Sequence, residues 1–238
     1  MDACCSFSSN RGDLDNTLIF FASDNGSSAE VVEIGDGEIG AIDRWVSLGK
    51  DWANVSNTPF RYYKNHSYEG GINTPLLVHW PDGGIKANSI TSYPGHFIDL
   101  MPTVLDIAGA EYPETYNAQK VLPYEGESLL PTLSGGSLPR NKDLYWQWLD
   151  DRAVRQGKWK LVASDSPEVN ASGQWELYDM ETDKTETSNV ASDHPEIVQR
   201  LSRLYEDWLD RVSERPSTMP ANPQAPHRDV RSGPRPAT

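Results

Sequence analysis

The chain has 238 residues, a formal net charge of −14, a hydrophobic fraction of 37% and a mean hydropathy of −0.61. So acidic a balance argues against a nucleic-acid partner, whose phosphates need a basic surface. No apolar run approaches the length needed to span a bilayer, so no membrane partner is expected. The length allows one large or two small domains with a substantial core.

Residues 1–12 carry no periodic pattern and remain unassigned. Met1–Asp15 lacks the basic and apolar regions of a signal peptide, so it gives no export signal and leaves the compartment unknown. The two cysteines, Cys4 and Cys5, are adjacent. Their Cα atoms lie about 3.8 Å apart across a trans peptide, closer than disulfide geometry favours. Two free thiols are expected.

The run Leu18-Ile19-Phe20-Phe21-Ala22 reads as a strand buried on both faces, as in a parallel α/β sheet. Ligands in such sheets bind beyond the carboxyl ends of the strands. Asp24 and Asn25 stand at that end and offer three side-chain oxygens, donors that suit calcium or magnesium. Asp24-Asn25-Gly26 is equally a common turn signal.

Residues 27–59 read as a long irregular stretch, of the kind that is usually functional or disordered. Trp45 and Trp52 within it either line a pocket or pin the loop to the domain, and pinning is favoured. Lys64 stands five residues before Glu69-Gly70-Gly71, whose glycines permit a tight backbone path. Leu76–Trp80 reads as a second buried strand, with His79 a structural histidine, ended by Pro81. A helix is predicted over Leu100–Ala108, capped by Asp99 and closed by Gly109. Its face of Met101, Val104, Leu105 and Ala108 is expected to pack on the sheet.

Residues 110–143 read as irregular, with Glu125–Pro131 joining a smaller unit. There Leu144–Trp148, Ala153–Arg155, Lys158–Val162 and Trp175–Asp179 suggest an antiparallel meander. Arg152, Arg155, Lys158 and Lys160 read as solvent-face charges. A final helix over Pro195–Val212 carries the apolar stripe Ile197, Leu201, Leu204, Trp208 and Val212. The proline- and arginine-rich tail that follows is expected to be disordered.

The segments "TLIFFASDNG", "KNHSYEGGINTPLLVHWP" and "DLMPTVLDIAG" together resemble the second half of a type I sulfatase of the arylsulfatase group, in the alkaline phosphatase superfamily. The resemblance covers residues 13–212. It implies an α/β fold: the C-terminal part of an alkaline-phosphatase-like sheet-and-helix core over 13–143, then a small antiparallel-sheet and helix subdomain over 144–212, with 213–238 as tail. It further implies a sulfuric ester hydrolase acting on a sulfate ester small molecule or sulfated glycan. Lys64 would then contact the sulfate as catalytic and substrate-binding cation, an ammonium being suited to stabilising anionic oxygen. His66 would lie at the edge of the pocket, and Glu69 would fix the loop. Asp24 and Asn25 would belong to a calcium (Ca2+) site incomplete in these residues.

The family's formylglycine nucleophile arises from C/S-x-P-S/A-R. Cys5 is followed by Ser6, Phe7, Ser8 and Ser9 and is not that residue, so the formylglycine is expected in an upstream half. A fragment without it is expected to be inactive alone. The alternatives are a non-catalytic sulfatase-like chain and a related phosphodiesterase or phosphonate hydrolase.

Overall fold

The computed structural model describes residues 12–149, 151–167 and 172–213. The readings for Cys4 and Cys5 and for the tail beyond Ser213 lie outside these residues. The chain order begins β1 (Ile19–Ala22), β2 (Glu33–Ile34), β3 (Trp45–Val46), α1 (Gly49–Asn57), α2 (Glu69–Ile72), β4 (Leu76–His79) and α3 (Leu100–Ala108). It continues with β5 (Thr115–Tyr116), β6 (Gln119–Lys120), α4 (Leu130–Leu133), β7 (Leu144–Trp148), β8 (Asp151–Gln156), β9 (Trp159–Ser164), β10 (Glu176–Asp179) and α5 (Pro195–Ser213). Mixed helix and sheet of this kind is an α/β fold.

The best-packed part is the four-stranded sheet, ordered β10-β9-β8-β7 with every neighbour antiparallel. This is the meander expected from the short aromatic-rich strands. Its pleat sends alternate residues to two covered faces. Val154, Leu161 and Leu177 meet Leu201 and Tyr205 of α5 on one face. On the other, Ala153, Val162 and Tyr178 pack against Tyr68 and Met180. The α5 stripe holds as expected: Leu201 is fully buried, and Ile197, Leu204 and Trp208 pack around it. A sheet covered on both sides leaves no wet face, so reading all its charges as solvated is wrong. Lys158 is exposed beside Asp179, whereas Lys160 is fully buried.

The strand Leu18–Ala22 was expected in a parallel sheet, covered on both faces. Instead β1 pairs antiparallel with β4 in a two-stranded sheet. Its register partners Phe21 and Leu77 are 50% and 57% exposed. An apolar run records what a strand is built to bury, and among the described residues no layer lies over this face. His79, at the end of β4, is exposed as well.

Two further expectations change. Residues 27–59 contain α1 and the ribbon β2–β3, and Trp45 and Trp52 are mostly exposed, so they do not pin the segment. The helix α3 keeps its predicted span and its left-handed Gly109, at φ 59°. However, Met101 and Val104 point outward, and the buried residues are Pro102 and Thr103. Polar anchoring explains this. Thr103 Oγ1 donates to the Asp99 carbonyl at 2.6 Å and accepts from the Leu129 amide at 2.9 Å. Asp99 stands at the N-cap position as expected, but its side chain makes no cap hydrogen bond to α3. His96 begins a 3-10 turn over Phe97–Asp99, with Nδ1 accepting from the Ile98 amide and Asp99 Oδ2 accepting from the His96 amide.

Candidate active site

The loop after β1 and the block from Lys64 to Gly71 meet backbone to backbone. The Gly26 amide donates to the Gly71 carbonyl at 3.0 Å, and the Lys64 amide donates to the Ser27 carbonyl at 3.0 Å. Asn57, from the end of α1, ties both sides: its Oδ1 accepts from the Ser27 amide and its Nδ2 donates to the Tyr62 carbonyl. The glycines are here for close approach. A Cβ on Gly26 would land on the Gly70 carbonyl oxygen, and one on Gly70 on the carbonyls of Arg61 and Tyr62. One on Gly71 would strike the His66 carbonyl. The Asp-Asn-Gly and Glu-Gly-Gly signatures, 43 positions apart from Gly26 to Glu69, are therefore two halves of one contact.

Around this contact, Asp24 is exposed and Asn25 half-buried, its Nδ2 donating to the Gly26 carbonyl at 2.8 Å. Lys64 is half-exposed, with Nζ 3.6 Å from Glu30 Oε1, a loose surface pairing that leaves the ammonium open to solvent. His66 is enclosed rather than at a solvent-facing edge. Its ring packs on Tyr62 and Tyr63, and Nδ1 lies 3.3 Å from both carboxylate oxygens of Asp151. Asp151 also accepts from Ser164 Oγ at 3.0 Å, so His66 is held from β8 and β9.

Glu69 anchors the turn from below. Its Oε1 accepts from Lys160 Nζ at 2.7 Å and its Oε2 from Asn73 Nδ2 at 2.7 Å. Lys160 Nζ is also 2.7 Å from Glu186 Oε1, an ion-pair distance without hydrogen-bond alignment, while Glu186 Oε2 accepts from the Glu69 amide. Burial pushes the Glu69 carboxyl up, but the Lys160 ammonium and the Asn73 amide outweigh it and hold the acid below its ordinary range. For Glu186, burial together with the charge of Glu69 outweighs the pull of Lys160, and its carboxyl is raised. Of the two acids that face Lys160, Glu186 is therefore the one that retains a proton more readily.

Sequence reasoning missed Lys160, Glu186 and Asp151. For Lys160 a signal existed: it stands in the run Trp159-Lys160-Leu161-Val162-Ala163, where no polar alternation supplies a wet face. A lone Lys in such a run is a buried, paired charge.

As a metal site, Asp24 and Asn25 fit in kind, being hard oxygen donors, but not in number, since calcium takes about six to eight oxygens. Among the described residues no group of three or more His, Cys, Asp and Glu side chains converges on a metal-sized position. An open cavity of about 360 Å³ lies elsewhere, lined in part by Tyr112, Tyr124, Glu127, Ser128 and Lys142, and includes none of Asp24, Asn25, Lys64 or His66. The interlocked loops, with convergent backbone contacts and an available cation, are the stronger candidate.

Comparison with known proteins identifies the family. Residues 9–110 match the family described as Sulfatase, and residues 60–212 match N-sulphoglucosamine sulphohydrolase, C-terminal. The chain belongs to the sulfatase family and corresponds to its C-terminal half. It is 30% identical over 217 residues to an uncharacterized sulfatase of Schizosaccharomyces pombe, covering 83% of this chain and 38% of that protein. It is also 30% identical over 210 residues to an N-acetylgalactosamine-6-O-sulfatase of Bacteroides thetaiotaomicron, covering 83% and 37%. Among solved structures it resembles Ps i-CgsB in complex with k-i-k-neocarrahexaose, with a TM-score of 0.64 and 25% identity over 86% of this chain and 39% of that one. The chain therefore spans less than half the length of these relatives. Family membership implies use of a metal and a formylglycine in general.

Proposed function

We propose that this chain contributes part of the sulfate clamp of a sulfatase that hydrolyses sulfate esters of glycans. The observation that carries the reading is the backbone interlock of the Asp24–Ser27 loop with the Lys64–Gly71 block, which joins the segment carrying the Lys64 cation to the loop carrying the oxygen donors Asp24 and Asn25. Lys64 would bind a sulfate oxygen and stabilise the charge that develops as the ester bond breaks. Asp24 and Asn25 would supply two of the ligands to a calcium ion, whose positive charge would hold the sulfate when bound. The name of the Bacteroides relative and the carrahexaose bound to Ps i-CgsB support a sulfated sugar as substrate.

The sequence holds no C/S-x-P-S/A-R run, so the nucleophile in this reading lies on polypeptide beyond these residues. The test uses the complete polypeptide carrying them, assayed on a nitrophenyl sulfate. Lys64→Ala is expected to lower kcat by about a hundredfold or more, the scale of losing one oxyanion-stabilising donor. Unchanged turnover would remove Lys64 from the site. A preference for a phenyl phosphonate ester would favour the phosphonate hydrolase alternative.

A further inference from the structure

We propose that Lys160 is a positioning residue for this clamp. Through Glu69 it holds the Glu69–Gly71 turn against the Asp24–Gly26 loop and so fixes where Lys64 stands. The proposal rests on the sulfatase reading only for the purpose of what is positioned. The positioning itself follows from the contacts.

The connection is short and every link is polar. Lys160 Nζ holds Glu69 Oε1 at 2.7 Å. The residues next along, Gly70 and Gly71, meet Gly26, with the Gly71 carbonyl taking the Gly26 amide at 3.0 Å. One residue further, the Ser27 carbonyl takes the Lys64 amide. Glu186 closes the arrangement from the opposite side by accepting the Glu69 amide at 2.7 Å, and its own carbonyl accepts from Arg61 Nη1 at 2.8 Å. Arg61 in turn accepts the Gly70 amide on its carbonyl. Lys160 and the Glu186 carboxyl thus hold the Glu69 end of the segment that carries Lys64, and the Glu186 backbone carbonyl holds its Arg61 end.

The turn needs this support. The helix α2 has only four residues, too few for a helix to sustain itself, because nucleation costs more than one turn of bonds returns. Its neighbours cannot carry side chains that pack, since Gly70 and Gly71 have no room for a Cβ. Within the turn the side-chain anchor is Glu69, which is buried and ends on Lys160, beside the core residue Tyr68 that precedes it. Lys160 is the second residue of β9, paired with Arg155 of β8 and Tyr178 of β10. The strongest sheet in the molecule is in this way made the reference frame for the loop contact. Removing one member of a buried charge set leaves the others uncompensated, so the cost falls first where the partner is least supported by other bonds.

Amide hydrogen exchange on this 238-residue chain tests the idea without any assay of activity. In Lys160→Met, the protection of the Gly26 and Lys64 amides is expected to fall by about tenfold or more, while the amides of Ala153 and Val154 change by less than about threefold, as local opening allows. Because that variant strands two acids, Glu69→Gln serves as the second probe. It keeps the shape, leaves Lys160 paired with Glu186, and is expected to loosen the same two amides selectively. Unchanged protection of Gly26 and Lys64 in Glu69→Gln would overturn the proposal. So would an equal loss across the whole sheet in both variants, which would make Lys160 a general core residue. Loosened amides in Lys160→Met, combined with no sulfate ester turnover by the unsubstituted complete polypeptide, would refute the sulfatase reading and leave the positioning role standing.

Discussion

Arg140 grips Asp99 with both terminal nitrogens: Nη1 lies 2.6 Å from Oδ2 and Nη2 lies 2.9 Å from Oδ1. Both side chains are nearly inaccessible to solvent. Asp99 also accepts the amides of His96 and Glu127, so one carboxylate joins the start of α3 to the segment leading into α4. Arg140→Ala would leave that carboxylate buried with amide partners but no cation. It is expected to destabilise the protein by about 3–5 kcal/mol, the cost of breaking a buried pair. Urea unfolding of the two proteins measures it, and a difference below about 1 kcal/mol would contradict the assignment.

The cap at His96 makes this same corner sensitive to pH. Burial lowers the pKa of its imidazole from the ordinary 6.5, and Asp99 offsets this only in part. Its Nδ1 must also stay unprotonated to accept the Ile98 amide. The unfolded chain therefore takes up the proton first. The stability contributed is full above pH 6.5 and is lost as pH falls through the lower folded value. Thermal unfolding followed from pH 8 to pH 5 is expected to show a falling Tm that His96→Asn, which keeps an acceptor, flattens. A Tm that rises on acidification through that window, and does so less in His96→Asn, would reverse the sign.

Gly26→Ala tests the loop contact directly. The added methyl would meet the Gly70 carbonyl, a backbone atom with no flexible side chain to yield. A cost of about 1–3 kcal/mol is expected, typical of overpacking. Gly84, at φ 70°, has open space where its Cβ would stand. Gly84→Ala separates the two reasons for a glycine: its cost is conformational strain alone and should leave the exchange of the Lys64 amide unchanged. If Gly26→Ala also leaves that amide unchanged, the interlock does not position Lys64.

Leu201 contributes differently, through apolar burial. It is fully buried on α5 against Val154, Leu161 and Leu177. Leu201→Ala is expected to cost about 2–5 kcal/mol, the sum of lost transfer energy and a cavity. Equilibrium denaturation gives the number directly, and a value under about 1 kcal/mol would mean the helix is not docked as described.

How much of this was legible depended on whether the pattern was local. The α5 stripe and the meander were readable because each strand finds its partner within a few residues and each apolar position answers to a fixed period. The partner of β1 was not, since a continuous apolar run in Leu18–Ala22 is silent about direction and about what covers it. α1 escaped notice because Gly49, Ser56 and Asn57 are poor helix formers, and its N-terminus has no side-chain cap. At the candidate site, the oxygen donors of Asp24 and Asn25 suggested their chemistry from residue type, and Lys64 was singled out by the family resemblance of its block. The apolar run around Lys160 signalled its burial but not its partner, which depends on Tyr68 and Glu69 covering the second face of the sheet, a tertiary fact.

The pairing of β1 with β4 also sets an order of events in folding. Its closest partners, Ala22 and Leu76, are 54 positions apart, whereas Gln156 and Trp159 at the β8–β9 turn are separated by three. On chain-closure statistics the longer loop costs about 2–3 kcal/mol more to close. The meander assembles through local closures that are fast, and the loop carrying Lys64 arrives on a sheet that already exists. Lys160 is then already in place, held between β8 and β10, when Glu69 reaches it, so the ion pair forms as a late docking step and mutations in it should speed unfolding more than they slow refolding.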